Sequence, residues 1–366
     1  DGTIYAVGGS RSNTWSHLGP QSPLHPFVWD SVNGIQELPN PSGIASDARG
    51  VGVRNTAGEI AISGRVGNIF RYYKAPLTSM TTSTWAVSVA FGSNADIGIV
   101  NTTRVDPSDE RWYSAGRRTN AARAIRVRVD PYNDFDAPGT GTTEGQSCSA
   151  AGKVVGLDRG NAGGERRAIY FTPPSVPVTA IPGGNLVRSE GYGISADGNV
   201  MSGLDYINLS TLAYQAFVWS TTDASMTLLG RHGPCDLRSV AYAVNNQRTA
   251  VGMSWNPVQG ERAVVWDTSG TWDTTGQARL LTELLTAAGV DTSAWTKLQR
   301  AFSISDDGMV IGGWGIWAAD GSARGFVAQL TEPVPFTPAP VLGACCVSEG
   351  PNAGTCSVIT EAQCAD

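Results

Sequence analysis

The chain has 366 residues, a formal net charge of −6, only 16% charged residues and 44 glycines. Soluble domains average roughly 25% charged residues and about 7% glycine, so this composition argues against long solvent-exposed helices, charge-driven disorder and a phosphate-tracking basic surface. Nucleic acid is therefore not an expected partner, and no apolar run approaches the roughly 18–20 residues that cross a bilayer.

In chain order, one motif recurs. A short apolar strand is followed by a turn rich in Asp, Asn and Gly, a second strand closing on Gly, a loop of variable length, and a third strand ending in an aromatic. It opens at Ile4 to Gly8 with Pro26-Phe27-Val28-Trp29 and returns at residues 55–64 with Ile69-Phe70-Arg71-Tyr72-Tyr73. The copy at residues 111–116 with Arg123-Ala124-Ile125-Arg126-Val127 is the most eroded, and the next is residues 148–156 with Arg167-Ala168-Ile169-Tyr170-Phe171. The pattern is plainest in Gly193-Ile194-Ser195-Ala196-Asp197-Gly198 with Phe217-Val218-Trp219, in residues 243–252 with Val264-Val265-Trp266, and in Ser303-Ile304-Ser305-Asp306-Asp307-Gly308 with Phe326-Val327-Ala328.

The closing glycines are Gly8, Gly64, Gly116, Gly156, Gly203, Gly252 and Gly312, spaced about 40 to 60 residues apart, which is propeller-blade spacing with loop insertions. Asp-Gly supplies the positive φ of a two-residue hairpin turn, and the closing Gly marks a place where backbones approach closely. A fourth apolar strip often follows, as in Met226-Thr227-Leu228-Leu229. The expectation is an all-β, seven-bladed propeller of four-stranded antiparallel blades over residues 1–330. One helix is expected between blades, from the i, i+3, i+4 face of Leu280, Leu281, Leu284, Leu285 and Ala288 with Gly289 as its stop.

Aligning Asp1-Gly2 with Asp197-Gly198 places the start of the sequence inside a unit, so the first blade is expected to lack its first strand. The last blade is expected to lack its fourth, because residues 331–342 carry Pro333, Pro335, Pro338 and Pro340 and read as a Pro-rich linker. Residues 343–366 form a Cys-rich tail with Cys345, Cys346, Cys356 and Cys364. These four are expected to knot the tail through disulfides, while Cys148 and Cys235 are either free or linked between subunits.

The unit Ser-x-Asp-Gly-x-x-Val followed by an Ala-Phe-x-Trp strand, best seen over residues 190–330, resembles the HAF-repeat family of extracellular proteins. Gly343-Ala344-Cys345-Cys346, Cys356 and Cys364 resemble the short Gly-Ala-Cys-Cys tail motif of secreted planctomycete-type proteins. Both resemblances imply secretion or cell-surface exposure, where disulfides persist, and the first brings no catalytic residues.

Sites of chemistry are sparse. His17, His25 and His232 are isolated, and no nucleophile elbow, phosphate loop or dinucleotide fingerprint is present. No catalytic residue and no cofactor is assigned. Calcium is the one ligand with candidate donors, Asp130, Asp134 and Asp136, although a solvated turn is the preferred reading. Asp197, Asp306 and Asp307 precede Gly and read as turn formers. Trp29, Trp219 and Trp266 occupy equivalent positions and are expected in the core, whereas Trp255, Trp272, Trp314 and Trp317 are the candidates for an aromatic binding surface. Asn101 and Asn208 head glycosylation sequons in predicted loops.

The favoured function is a non-enzymatic, secreted structural subunit of the cell surface or matrix, self-associating head-to-tail into filaments by exchange of terminal strands. The alternatives are an extracellular glycan- or protein-binding propeller, and a propeller hydrolase or lyase with a loop-built site.

Overall fold

In the computed structural model the described residues are 3–10, 25–39, 46–54, 56–66, 69–78, 86–88, 97–106, 111–118, 123–129, 132–137, 142–159, 166–174, 177–182, 188–233, 235–269, 278–330, 332–334, 342–346 and 356–360. Among them the strands build seven successive blades, numbered in chain order. Blade 1 is β1 (Tyr5–Ser10), β2 (His25–Asp30) and β3 (Gly34–Glu37). Blade 2 is β4 (Ser46–Arg54), β5 (Glu59–Val66), β6 (Ile69–Pro76) and β7 (Ala86–Ser88). Blade 3 is β8 (Ile97–Val105), β9 (Trp112–Arg118), β10 (Ala124–Val129) and β11 (Tyr132–Asp136). Blade 4 is β12 (Thr143–Cys148), β13 (Val154–Asp158), β14 (Arg167–Phe171) and β15 (Thr179–Ala180).

Blade 5 is β16 (Ser189–Ile194), β17 (Val200–Asn208), β18 (Ala213–Ser220) and β19 (Ser225–Leu228). Blade 6 is β20 (Arg238–Val244), β21 (Thr249–Asn256), β22 (Gly260–Asp267) and β23 (Ala278–Leu280). The helix α1 (Leu281–Ala287) leads into blade 7, made of β24 (Trp295–Ile304), β25 (Val310–Trp317) and β26 (Ala323–Gln329). In the tail, β27 (Leu342–Cys346) pairs with β28 (Cys356–Thr360), and Cys346 lies opposite Cys356 in the register.

Within every blade neighbouring strands are antiparallel, and Gly8 of β1 opposes Phe27 as Gly203 of β17 opposes Phe217. β1 is therefore a second strand. The described sheets of blades 1 and 7 thus hold three strands each, lacking respectively an inner and an outer one, as the repeat alignment expects.

The turn after each inner strand departs from a two-residue hairpin. In blade 5, Ser195 N–H donates to Val200 C=O and Gly198 N–H to Ser195 C=O, enclosing a four-residue loop in which Gly198 alone has positive φ, +76°. Ser195 Oγ accepts from Val200 N–H and donates to Asp197, which in turn accepts from Asn199 N–H. Ser305, Asp307 and Gly308 repeat this network in blade 7. The Ser-x-Asp-Gly signature is thus a side-chain cap for the extra turn residues. In blade 6 Arg248 takes the same position with φ +66°, and Asn245 Oδ1 supplies the cap to Thr249 N–H.

Apolar side chains meet between blades. Met201, Phe217 and Trp219 of blade 5 pack with Val155, Ala168 and Ile181 of blade 4, and Leu281, Leu284 and Leu285 of α1 fill the space between blades 6 and 7. Trp219 and Trp266 are buried, the latter donating Nε1–H to Gly230 C=O, whereas Trp29 is half-buried. A repeated polar stitch crosses the same seams. The N–H groups of Ala124, Ala168 and Ala216 donate to Thr143, Ser189 and Ser239 at the head of the next blade's inner strand, at 2.8, 2.9 and 2.9 Å. The eroded third copy forms a complete four-stranded blade because Trp112, fully buried beside Tyr72, Ile125 and Val127, replaces the missing aromatic pair.

One residue of the segment expected as a linker packs on the propeller. Val334 is fully buried against blades 6 and 7, and its carbonyl accepts from Thr249 Oγ1 at 3.1 Å. An apolar side chain with a pocket between two blades packs there despite the flanking prolines.

Candidate functional site

The inner strands of blades 2 to 7 (β4, β8, β12, β16, β20 and β24) share a β-bulge at one level. It falls between Ala48 and Gly50, Val100 and Thr102, Gly145 and Ser147, Gly191 and Gly193, Ala241 and Ala243, and Ala301 and Ser303. The bulge turns a carbonyl toward the second strand, and the closing glycine lies under it. A Cβ on Gly64, Gly156, Gly203 or Gly252 would overlap the carbonyl oxygen of Asp47, Glu144, Glu190 or Val240. This is the close backbone approach expected at those glycines, and only glycine fits it. In blade 7 the residue under the carbonyl, that of Arg300, is Gly313, so the repeat register is corrected there from Gly312 to Gly313.

The bulge frees one residue per inner strand: Arg49, Asn101, Gln146, Tyr192, Tyr242 and Phe302. On three consecutive blades that residue is aromatic. Tyr192 and Tyr242 meet at 5.6 Å between ring centroids and Tyr242 and Phe302 at 5.0 Å, forming an arc on one side of the channel. Phe302 is 45% exposed, and the two tyrosines are half-buried against Leu204, Val240 and Met253. Burial pushes the Tyr242 phenol up to about 12. Burial and then the Glu190 carboxylate push that of Tyr192 further in the same direction. Both rings are neutral at physiological pH.

Two residues before the bulge stand charged groups that are all paired. Asp47 accepts from Arg49 Nε and Arg65 Nε, each at 3.1 Å. Glu144 accepts from Gln146 at 2.8 Å and Arg159 at 2.7 Å. Glu190 accepts from Tyr192 Oη at 2.6 Å and Arg166 at 2.7 Å. Arg300 forms a two-pronged pair with Glu261, its Nε 2.6 Å from Oε2. Outward from the arc the order continues: Arg188 lies over Tyr206, Tyr206 meets Tyr214, and Arg238 covers both Tyr214 and Trp255.

Toward the far end of the bore the Arg104 side chain crosses between blades. Arg104, near the end of β8 in blade 3, places Nη1 3.0 and 3.2 Å from the carboxylate oxygens of Asp306 in blade 7. Its Nη2 lies 3.5 Å from the carbonyl of Ile194 in blade 5. Asp306, expected as a turn former, is instead the partner of this strut, and Asp307 is the turn cap. Beside it, Asp197, Asn199, Ser220, Thr222, Asp223, Asn246 and Arg248 line a polar cleft of about 260 Å³. Asp197 and Asp223 both accept from neighbouring serines, so these carboxylates serve their own turns.

The remaining sequence candidates fall as follows. Trp255, Trp314 and Trp317 are half-buried, with the guanidinium groups of Arg238, Arg300 and Arg324 at 4.6, 5.8 and 4.9 Å from their ring centroids. Trp272, Asp130 and Cys364 lie outside the described residues, as do the side chains of Asp134, Asn101, Cys345, Cys346 and Cys356. Asp136 accepts from Arg118 Nε at 2.8 Å, so its carboxylate is held by a cation of the same blade. Among the described residues no group of three or more His, Cys, Asp or Glu is placed to hold a metal. Asn101 lies at the bulge of β8 rather than in the predicted loop. Asn208 ends β17, exposed, with Oδ1 accepting from Ser210 and Thr211 N–H. Cys148 is buried and free, and Cys235 is exposed and free. His25 is buried against Glu37 at 2.6 Å, and His17 is outside the described residues.

Sequence reasoning followed the tryptophans and missed the arc. Its signal was present as an aromatic between two small residues: Gly191-Tyr192-Gly193, Ala241-Tyr242-Ala243 and Ala301-Phe302-Ser303.

This architecture has a counterpart among solved structures. The β-propeller domain of the Trilobed protease from Pyrococcus furiosus matches 91% of this chain and 95% of its own, with a TM-score of 0.53 and 8% identity. The fold is a β-propeller. More distant is the Cps50 (Swd1) β-propeller domain of Myceliophteria thermophila, with 10% identity over 85% of this chain and 92% of that one, TM-score 0.48. TolB from Acinetobacter baumannii has 11% identity over 90% and 81% of the two chains, TM-score 0.46. No family model matches the propeller chain, and no curated protein matches it. Among the described residues no helix is long and apolar enough to cross a membrane.

Proposed function

We propose that this propeller is a secreted, non-enzymatic binding module that holds its ligand in the central channel against Tyr192, Tyr242 and Phe302. The observation that carries this reading is the contiguous arc of three aromatic rings on consecutive inner strands, held by bulges, with Phe302 exposed among the described residues. Rings fixed on strands offer contact area at little entropic cost. The carboxylates nearest the arc, Glu190 and Glu261, are clamped by Arg166 and Arg300, an arrangement suited to holding a ligand rather than moving its protons.

The test is a thermal-shift screen of the full chain against saccharides and peptides, run beside Tyr242→Ala and Phe302→Ala. A ligand that raises Tm of the parent and not of the folded variants supports the reading. A ligand that shifts all three equally binds elsewhere and overturns it.

A second reading, the filament subunit, is favoured by the outer edge of β26 (Ala323–Gln329), which no described strand pairs. An open edge is a template for a strand from a second copy. Negative-stain microscopy of concentrated protein decides it: end-to-end fibres support strand exchange, and a field of dispersed particles sinks it.

A further inference from the structure

We infer that the ligand of this channel is the free end of a neutral carbohydrate chain. The inference rests on the binding reading above and deepens it in two respects: the chemistry of the ligand and the part of it that enters.

The wall chemistry comes first. Blades 5, 6 and 7 present Tyr192, Tyr242 and Phe302 at the bulge, whereas the bulge residues of blades 2 and 4 are Arg49 and Gln146. One side of the bore carries aromatic rings and the other polar groups, Arg49 and Gln146, which also donate to Asp47 and Glu144. A pyranose has the matching asymmetry, with a C–H face that stacks on aromatic rings and a rim of hydroxyls.

Charge narrows the class. Asp47 is matched by Arg49 and Arg65, Glu144 by Arg159, Glu190 by Arg166, and Arg300 by Glu261. A charged ligand would break one of these pairs to find a partner, and an unpaired charge in a confined site is costly. A neutral ligand leaves them all intact.

The end crossed by Arg104 decides which part of the chain enters. The guanidinium of Arg104 ties the inner strand of blade 3 to Asp306 of blade 7 and to the Ile194 carbonyl of blade 5. The turns around it are joined as well: Ala150 N–H to Ala196 C=O, Asp197 N–H to Asn246 Oδ1, and Asn245 Nδ2 to Ser305 C=O. Arg104 lies across the bore at this end, so the proposed polymer enters from the other end, by its terminus.

The experiment measures binding of the full chain to cellohexaose, maltohexaose and chitohexaose coupled through their reducing ends. Each is compared with the same chain methylated on its terminal sugar and with β-cyclodextrin, which has no end. The inference expects at least one free-ended probe to bind, with about tenfold weaker binding when the end is blocked or absent, and about tenfold weaker binding in Tyr242→Ala. In Arg104→Ala, which removes the side chain that crosses the bore and leaves the three aromatic residues in place, the penalty for a blocked end shrinks to about threefold or less. Circular dichroism confirms that the variants are folded. Equal binding of blocked and free chains overturns the end-specific assignment. Binding only of acidic glycans, or only of a peptide that Tyr242→Ala abolishes, overturns the neutral-carbohydrate class and leaves the binding reading standing. No ligand in either screen overturns both.

Discussion

Arg104 and Asp306 are 202 residues apart in sequence and 3.0 Å apart in space, joining blade 3 to blade 7 across the bore. Their side chains are 22% and 45% exposed, so solvent screens the pair. Its contribution to stability is that of a surface ion pair, ~0.2–1 kcal/mol. Arg104→Ala is accordingly expected to lower the urea midpoint slightly, and the difference from the parent is expected to fade as salt is raised. A loss of several kcal/mol on substitution would mean that the strut holds the ring together rather than closing its end.

The adjacent glycines of blade 7 separate under substitution. On Gly313 a methyl group would overlap the Arg300 carbonyl oxygen and meet Phe326 Cζ at 2.6 Å, whereas on Gly312 the nearest atom is the Ser303 hydroxyl at 2.7 Å, which can rotate away. Gly313→Ala is expected to cost about 2–4 kcal/mol, because a backbone clash moves the whole bulge, and Gly312→Ala less than about 1 kcal/mol. Denaturant unfolding of the two variants checks this. Equal losses would refute the assignment of Gly313 as the blade-closing residue.

Most of the blade architecture was legible because each unit repeats its own grammar: Gly203 and Gly252 under the bulge, Ser195 and Asp197 at the turn, Trp219 and Trp266 in the seam. Local chemistry wrote those positions and every copy reinforced them. Arg104 and Asp306 could not be read as a pair, since their meeting depends on closing seven blades into a ring and Asp306 takes the variable position of its turn. The arc lay in between. Tyr192, Tyr242 and Phe302 recur with the repeat, but an aromatic between two small residues carries no meaning until the bulge and the inner position of its strand are known. Register failed at Gly312 for a related reason: two glycines side by side satisfy the pattern equally, and only the Arg300 carbonyl distinguishes them.

In blade 6 a buried charge holds the loop that leads into β20. Asp236 is 1% exposed and accepts from Arg262 Nη2 at 2.6 Å and Asn256 Nδ2 at 2.9 Å, with Ser254 Oγ on its second oxygen. Asp236→Ala leaves the Arg262 guanidinium without its partner and is expected to cost about 3–5 kcal/mol. Nearby, burial first and then Arg262 depress the pKa of His232 below its ordinary value, so the folded state holds this ring neutral. For a base with a depressed folded pKa the unfolded chain binds the extra proton. Stability from this group is complete above about pH 6.5 and falls as pH drops from there toward the folded pKa. His232→Gln is expected to flatten that part of the stability profile in chemical denaturation across pH 5–7, and an unchanged slope would rule His232 out as its source.

Two free cysteines of the propeller differ in the one property that sets thiol reactivity. Cys148 is fully buried at the end of β12, its Sγ 3.4 Å from the Tyr113 carbonyl, and burial drives its pKa up to about 12 despite the nearby Arg104 and Arg126. Cys235 is exposed in the loop before β20. The thiolate is the nucleophile, and at pH 8 a group titrating near 12 is ionised in roughly one molecule in ten thousand. Iodoacetamide at pH 8 is therefore expected to label Cys235 within minutes and to leave Cys148 unlabelled until denaturant is added, read peptide by peptide in a mass spectrometer. Modification of Cys148 at a comparable rate in the native protein would show that the seam between blades 3 and 4 opens far more often than its packing allows.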